Sequence, residues 1–239
     1  MSTRPVSLDQ CHLLEEDPDL AEAVAPAKRG KAIEELTVKQ LQLSTGTWTI
    51  DPSQRTPEGV GLLVLKGMML RRVGIEGRYG AELLGECDVL RPWQGEDVSP
   101  TLSTTTGWSV IEPTRVAVLD DRFSRQLVGY PELIGRLVGR GIQRSRHLAV
   151  NMAIIHQARV DVRLHMLFWH LAGRWGRVRS DGTWLRVRLT HAVLADLVAA
   201  RRPTVTSALS DLARRDLVRM VDEGWLLSGE VPGELLDVG

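Results

Sequence analysis

The segment LTHAVLADLVAARRPTVTSALSDLARRDL, Leu189 to Leu217, constrains the chain more than any other. It reads as two short helices joined by a tight turn. Thr190 stands at an N-cap position, ahead of Ala192, Val193, Leu194, Leu197 and Val198. Those apolar residues recur at the three- and four-residue spacing of one buried helix face. Arg201 and Arg202 come next, and Pro203 then falls in a first helical turn, where its missing N–H costs nothing. The second helix buries Val205, Leu209 and Leu212 and leaves Thr204, Thr206, Ser207 and Ser210 on other faces. An apolar back, a small polar front and arginines at the start suit a helix that enters a major groove, the arginines reaching phosphates or guanine edges. Two amphipathic helices packed in a core would show the same periodicity, so the flanking chain has to decide between the readings.

With 239 residues, 43% of them hydrophobic and 25% charged, the chain is expected to form one or two globular domains with a real core. It has no apolar run of the length a membrane span needs, and its first residues lack the pattern of a secretory leader. Two cysteines, Cys11 and Cys87, make no disulfide framework, which fits a reducing cytoplasm, and they are too few for a four-thiolate cluster. The formal net charge is zero, but its distribution is uneven. Glu132 to Arg179 is rich in arginine and nearly lacks acids, whereas the first forty residues carry Glu15, Glu16, Asp17, Asp19 and Glu22. The arginine-rich stretch is the expected electrostatic footprint of a nucleic-acid binder.

Residues 1 to about 45 read as helical. Leu13, Leu14 and Leu20 come first, Asp17-Pro18-Asp19 is a helix start, and Ile33, Leu36 and Leu41 make a second helical stretch ending at Ser44-Thr45-Gly46. From Trp48 to about Leu119 short apolar runs alternate with breaks: GLLVLKGMMLRRV, YGAELLGECDVL, Trp108 to Ile111, and RVAVLD. Such runs predict a sandwich, barrel or roll, with Gly67, Gly74 and Gly77 as turn candidates. Gly95 to Thr106 is polar, holds Pro100 and is expected to be a loop; Asp120 to Tyr130 is a linker or short helix.

A long helix begins at Pro131. Ile134, Val138, Gly141, Ser145, Leu148, Met152 and Ile155 step by three and four, a narrow seam of the kind that pairs two helices. Packing on the chain's own sheet would leave the same pattern, but the many arginines on the other faces favour dimerisation. A domain boundary is expected near Gln157 to Arg163. Leu164, Leu167, Phe168 and Leu171 form one face of the next helix, which ends at Gly173 or Gly176. Asp181-Gly182 signals a hairpin turn and Thr183 to Leu189 alternates as a strand. After the helix pair, Leu217 to Val221 and Trp225 to Leu227 flank the turn Asp222-Glu223-Gly224, so the helix-turn-helix carries a wing. The tail after Gly229 is acidic and expected to fray.

This order resembles the CRP/FNR superfamily of bacterial transcription regulators across roughly Trp48 to Leu227. The resemblance is strongest in LT at the first helix start, LADLV, R-x-T-V inside RRPTVTSAL, and DLARRDLV; LLGECDVLRPW resembles a β-roll turn of actinobacterial members. It implies an α+β fold: an N-terminal cyclic-nucleotide-binding-type β-roll, a long dimerisation helix and a C-terminal winged helix-turn-helix. The domains would be residues 1–130, 131–160 and 161–239. By the same resemblance Arg202 falls on the arginine that reads guanine, Thr190 and Thr204 on phosphate contacts, and Ser207 on a second base-reading position. Thr206 lies on the same polar front, and Arg201 is assigned to phosphate. Pro203 stands where many members have a glutamate that accepts from cytosine. Proline offers no acceptor and serine reaches less far than arginine, so the target sequence should differ from that of cyclic-AMP-type readers.

In the family a Gly-Glu pair holds the ribose of a cyclic nucleotide, and an Arg-Ser pair about ten residues on holds its phosphate. Gly85-Glu86 supplies the first pair. Arg91 comes too early and is followed by Pro92, and Thr104-Thr105-Thr106 has no arginine beside it. A buried anionic phosphate needs a cation, so the roll is expected not to depend on cyclic AMP. His147 and His156 are nine residues apart and His165 and His170 five, so neither pair shares a helix face. Cys87 with a helix histidine would be the haem arrangement of some family sensors, but no ligand pair marks it, and Cys11-His12 is a further redox or metal candidate. Trp93, Trp169, Trp175, Trp184 and Trp225 read as core anchors. No P-loop, Gly-x-Ser-x-Gly or carboxylate pair marks an enzyme. The expectation is a cytoplasmic homodimer on double-stranded DNA, able to meet RNA polymerase, with no cofactor, metal or membrane partner. The alternative is a small-molecule sensor whose ligand gates DNA binding.

Overall fold

The computed structural model describes residues 6–51, 55–93 and 102–231. The chain divides into two compact units, Met1–Arg146 and His147–Gly239. The N-terminal unit is a seven-stranded antiparallel sheet, in the order β1-β2-β7-β4-β5, with β3 paired to β7 and β6 to β4. Its strands are β1 Val6–His12, β2 Thr37–Leu43, β3 Gly46–Trp48, β4 Gly61–Ile75, β5 Arg78–Leu84, β6 Val89–Leu90 and β7 Thr105–Leu119.

The roll is built on β4 and β7, which pair along their full lengths. Three register shifts between Val64 and Met69 bend β4 in the middle. At that bend Gly67 has φ +93, and a Cβ there would strike Pro113 O and the Thr114 backbone, so the corner requires glycine. Thr114, fully buried, ties the corner by donating to Met68 O at 3.2 Å. On one side of the sheet Leu62, Val64, Met69, Leu84, Val116 and Trp108 form the roll interior, with Trp48 edge-on to Trp108 at 6.1 Å.

A second core lies between the sheet and the helices α1 Leu13–Glu16, α2 Pro18–Ala23, α3 Pro26–Glu35 and α4 Asp121–Gln126, a 3-10 turn over Leu127–Gly129, and the start of the long helix α5 Pro131–Ile155. Asp17 caps α2, accepting from Leu20 N at 3.1 Å, as the Asp-Pro-Asp signal predicts.

The opening residues depart from the helical expectation. β1 and β2 are strands, paired with each other, and β2 pairs with β7. The helical stretch stops at Glu35; Leu41 belongs to β2, where sheet pairing overrides the three- and four-residue spacing. Gly74 lies inside β4 as Gly67 does, and among the three glycine candidates the turn is at Gly77, φ +76. Trp108–Ile111 and RVAVLD are parts of the single strand β7, continuous through Pro113. Of the expected loop Gly95 to Thr106, residues 95–101 lie outside the described residues, as do residues 232–239 of the tail.

The C-terminal unit holds α6 Val160–Trp175, α7 His191–Leu197 and α8 Arg202–Arg214, with a four-stranded antiparallel sheet in the order β10-β11-β9-β8. Its strands are β8 Gly176–Arg179, β9 Gly182–Leu185, β10 Val218–Val221 and β11 Gly224–Leu227. The expected strand Thr183 to Leu189 stops at Leu185. Val187 and Leu189 are still buried, and the alternation continues through irregular backbone that leads into α7. The expected face of α6 is buried, with Phe168 against Trp225 at 4.8 Å.

Candidate DNA interface

The helix pair forms as its pattern requires. Thr190 Oγ1 accepts from Val193 N at 3.3 Å and caps α7. Val193, Leu194, Leu197 and Val198 are buried, while Ala192 faces outward. The tight turn passes through Ala199 at φ +49. Arg163 of α6 closes the other end of α7, donating to Val198 O at 3.1 Å and Ala199 O at 3.4 Å. This satisfies carbonyls that the end of a short helix leaves open. The chain enters α8 at Arg201, with Pro203 in its first turn. Val205, Ala208, Leu209 and Leu212 are buried.

Arg201, Arg202, Pro203, Thr204, Thr206 and Ser207 are all exposed, as is Thr190. The structure brings the α8 residues onto the first two turns of one helix, and Thr190 to the start of the other. Neither Arg201 nor Arg202 pairs with an acid among the described residues. Arg214 pairs with Asp211, Arg188 with Glu223 and Arg215 with Asp161. The first turn of α8 therefore presents positive charge and open donors.

The hydroxyls along the same face have a narrower role. Thr206 donates to Arg202 O at 3.1 Å, Ser207 to Pro203 O at 3.3 Å and Ser210 to Thr206 O at 3.1 Å. With their protons turned into the helix, they offer outward lone pairs and, at Thr206, a methyl group. His191 was not singled out from sequence. Its Nδ1 lies 2.9 Å from Thr206 Oγ1 and ties the first turn of α7 to the face of α8.

Much of the arginine-rich stretch is not the open basic surface that its composition suggests. Arg136 pairs with Asp19, Arg140 with Asp17 and Asp19, Arg144 with Glu82 and Arg159 with Asp161. Two of these acids belong to the acidic N-terminal stretch. The Arg159 guanidinium holds the Asp161 carboxyl below its usual range.

The N-terminal unit has a cavity of about 400 Å³, lined among others by Arg71, Arg91, Arg144, Val60, Trp108 and Val138. Gly85-Glu86 does not reach it. Gly85 N donates to Asp88 Oδ2 at 2.8 Å in a tight turn between β5 and β6, and Glu86 is exposed there. Held by two of the cavity's cations is Glu82 on β5, which sequence reading passed over. Arg91 donates to Pro57 O at 2.6 Å.

The two histidine pairs considered on single helices do not form. His147 instead meets His170 across α5 and α6, with ring centroids 5.1 Å apart, and His165 Nε2 accepts from Trp169 Nε1 at 3.0 Å. Cys11 is buried, and burial pushes its thiol up to about 11, far from a reactive thiolate. Cys87 is exposed. No group of three or more His, Cys, Asp or Glu with metal-binding geometry occurs among the described residues, and none of their helices is long and apolar enough to cross a membrane.

Residues 162–227 match the Crp-like helix-turn-helix domain family. A CRP-like cAMP-activated global transcriptional regulator of Mycobacterium tuberculosis is 29% identical over 148 residues, 61% of this chain and 64% of that protein, so the match spans less than two thirds of the relative. Among solved structures, a cyclic nucleotide-binding domain containing protein from Listeria monocytogenes superposes with a TM-score of 0.65 at 12% identity, over 88% of this chain and 96% of that one. A CooA mutant from Carboxydothermus hydrogenoformans gives 0.61 at 15% identity, over 98% and 97%. FixK2 from Bradyrhizobium japonicum gives 0.58 at 12%, over 84% and 96%. At these identities the superpositions speak for the fold, and the helix-turn-helix match speaks for the C-terminal unit. Residues 162–227 thus carry a Crp-like helix-turn-helix, and the chain as a whole, with a bent antiparallel roll, a long helix and that helix-turn-helix in order, shares the fold of these solved structures.

Proposed function

We propose that the protein is a homodimeric, sequence-specific DNA-binding transcription regulator that works in the cytoplasm and does not require cyclic AMP. The observation that carries this reading is the first turn of α8. It pairs a buried apolar back with exposed Arg201 and Arg202, neither matched to an acid among the described residues, inside a Crp-like helix-turn-helix. Arg202 reads guanine through O6 and N7, and Arg201, Thr190 and Thr204 meet phosphates. Pro203, Thr206 and Ser207 add shape, a methyl group and small acceptors, so Arg202 is the long base-reading side chain of this face.

Dimerisation is supported by the exposed seam of α5, whose first residues also line the mouth of the cavity. Ile134, Val138, Gly141, Ser145 and Met152 of the seam are exposed, with Ile142 and Val150 beside them. An apolar stripe of this length in water calls for a partner helix. Residues 1–130 serve as a sensor-like domain, 131–160 as the dimerisation helix and 161–239 as the DNA-binding domain, which meets RNA polymerase at its promoters. Independence from cyclic AMP is supported by the Gly85-Glu86 turn, where Glu86 is exposed and Gly85 N is taken by Asp88, and by the carboxylate already held between Arg71 and Arg144. The second reading, a small-molecule sensor whose ligand gates DNA binding, is favoured by the cavity.

Selection of duplexes from a random pool by purified protein, with and without cyclic AMP, tests both. The expected result is a palindrome with half-sites about 34 Å apart, enriched equally in both arms. Enrichment in the cyclic AMP arm alone would replace the first reading with the second. No enrichment in either arm would overturn the DNA-binding assignment.

A further inference from the structure

Arg71, Arg91 and Arg144 all line the cavity of the N-terminal unit. Guanidinium groups gathered away from water require an anion. Arg91 turns its Nη2 to Pro57 O. The other two share an acid from the chain itself. Glu82 is 8% exposed, and Arg144 places Nε 2.6 Å from its Oε1 and Nη2 2.8 Å from its Oε2. This is the two-pronged geometry by which arginine holds a carboxylate. Arg71 stands directly across the β4–β5 ladder from Glu82, with Nε 3.3 Å from Oε2. Arg144 also donates through Nη1 to Val89 O at 3.1 Å. One guanidinium thus joins α5 to β5 and β6 through a carboxylate that belongs to the sheet.

We propose that Glu82 is a built-in ligand of the roll. Its carboxylate fills the anionic role of an effector and fixes α5 on the sheet, so the DNA-binding form of the dimer needs no added small anion. The inference rests on the DNA-binding reading above and adds the regulation of that function. An external anion would have to displace Glu82 from Arg144 and leave the buried carboxylate with Arg71 alone, so the internal ligand also disfavours competitors.

The test uses the full chain and the duplex selected by the wild-type protein. Glu82→Ala removes a fragment equivalent to acetate, whereas Glu82→Gln removes the charge and keeps the volume. Expected is a loss of DNA affinity of about tenfold in both, within the usual 5–150-fold range of such coupling. Sodium acetate, at constant ionic strength, restores affinity in Glu82→Ala and has no effect on Glu82→Gln or wild type. Asp17→Asn, which weakens the contact of α5 with α2 away from the cavity, is a control that acetate does not rescue. Wild-type affinity in Glu82→Ala would overturn the proposal, as would a loss that acetate leaves unchanged. Thermal melting with and without acetate reads the same site without DNA. Acetate should raise the melting temperature of Glu82→Ala alone, and its failure to do so would overturn the internal-ligand role even if the protein bound no DNA.

Discussion

Asp17 has two structural roles that a pair of substitutions separates. Its Oδ1 caps α2 through Leu20 N, and both carboxylate oxygens meet Arg140, at 2.6 and 2.7 Å. The side chains are 5% and 11% exposed, so the pair is largely desolvated. Removing one partner of a buried pair costs about 3–5 kcal/mol, since it strands the other charge. Arg140 keeps a second contact, to Asp19 at 2.9 Å, which argues for the low end, about 3 kcal/mol. Loss of a cap adds about 1 kcal/mol. Asp17→Asn retains a capping side chain and loses the charge, so it should cost about 3 kcal/mol, and Asp17→Ala about 4. Urea unfolding followed by hydrogen exchange and mass spectrometry reads the N-terminal unit apart from the C-terminal one. A loss under about 1 kcal/mol in both variants would mean that the pair behaves as an exposed one, and the desolvation argument would fail. Equal losses in the two would leave the cap without a contribution.

Arg202→Ala should relax specificity at one base pair, at a cost of about 1–3 kcal/mol, whereas Arg201→Ala should weaken all sequences alike and reduce the salt slope by about one. Binding measured over a salt series distinguishes them, and unchanged binding in both would remove α8 from the interface. Ile142→Glu with Met152→Glu places charge on an apolar face where the native side chains are 51% and 61% exposed. Sedimentation should show a folded monomer, and an unchanged dimer would place the interface elsewhere. His170 supplies a pH dependence. Burial, then His147 and Arg174, pushes its pKa down to about 4, so between that value and the ordinary histidine range the unfolded chain binds a proton that the folded one refuses. Stability is therefore full above about pH 6.5 and falls as the pH drops toward 4. His170→Leu should flatten that fall in a urea series, and an identical pH profile would show that another group causes it.

The C-terminal unit was legible because its signals are local. A capping threonine, a proline in a first turn and the 3.6-residue period fix α7 and α8 within a few residues, and Asp181-Gly182 fixes the β8–β9 hairpin. The opening strands were not legible, because Ile33, Leu36 and Leu41 keep a helical spacing across a helix end and a strand, and only pairing with β7 decides the matter. Glu82 could have been found. Gly77 marks a turn, and with Glu76 and Gly77 both at positive φ the two-residue hairpin sets Ile75 opposite Arg78. Counting back along both strands puts Arg71 opposite Glu82, an ion pair in plain arithmetic. What arithmetic does not supply is Arg144, which reaches the same carboxylate from a position on α5, 62 residues away.

Arg144 also shows why the charge distribution along the sequence misled. A stretch rich in arginine and poor in acid reads as a surface that attracts phosphate, as long as the arginines are assumed to face water. On α5 they do so only in part. Leu133, Leu137, Arg140 and Arg144 follow one another at helical spacing, the leucines buried and the arginines bound to Asp17, Asp19 and Glu82. The acids that neutralise them lie on α2 and β5, so the surplus at one end of the sequence and the deficit at the other cancel when the chain folds. The seam residues Ile134, Val138, Gly141 and Ser145 each follow one of those four residues by one position and so lie on the neighbouring flank of the same helix, where the first three still line the cavity. Arg136 and Arg140 thus hold α5 to α2, and Arg144 holds it to the sheet. Arg201 and Arg202, by contrast, pair with no acid among the described residues, on a helix start whose position is set by buried Val205 and Leu209. A zero net charge and the proposed DNA-binding surface are compatible for that reason: the first turn of α8 stays open, while Arg136, Arg140, Arg144 and Arg159 are matched to acids within the fold.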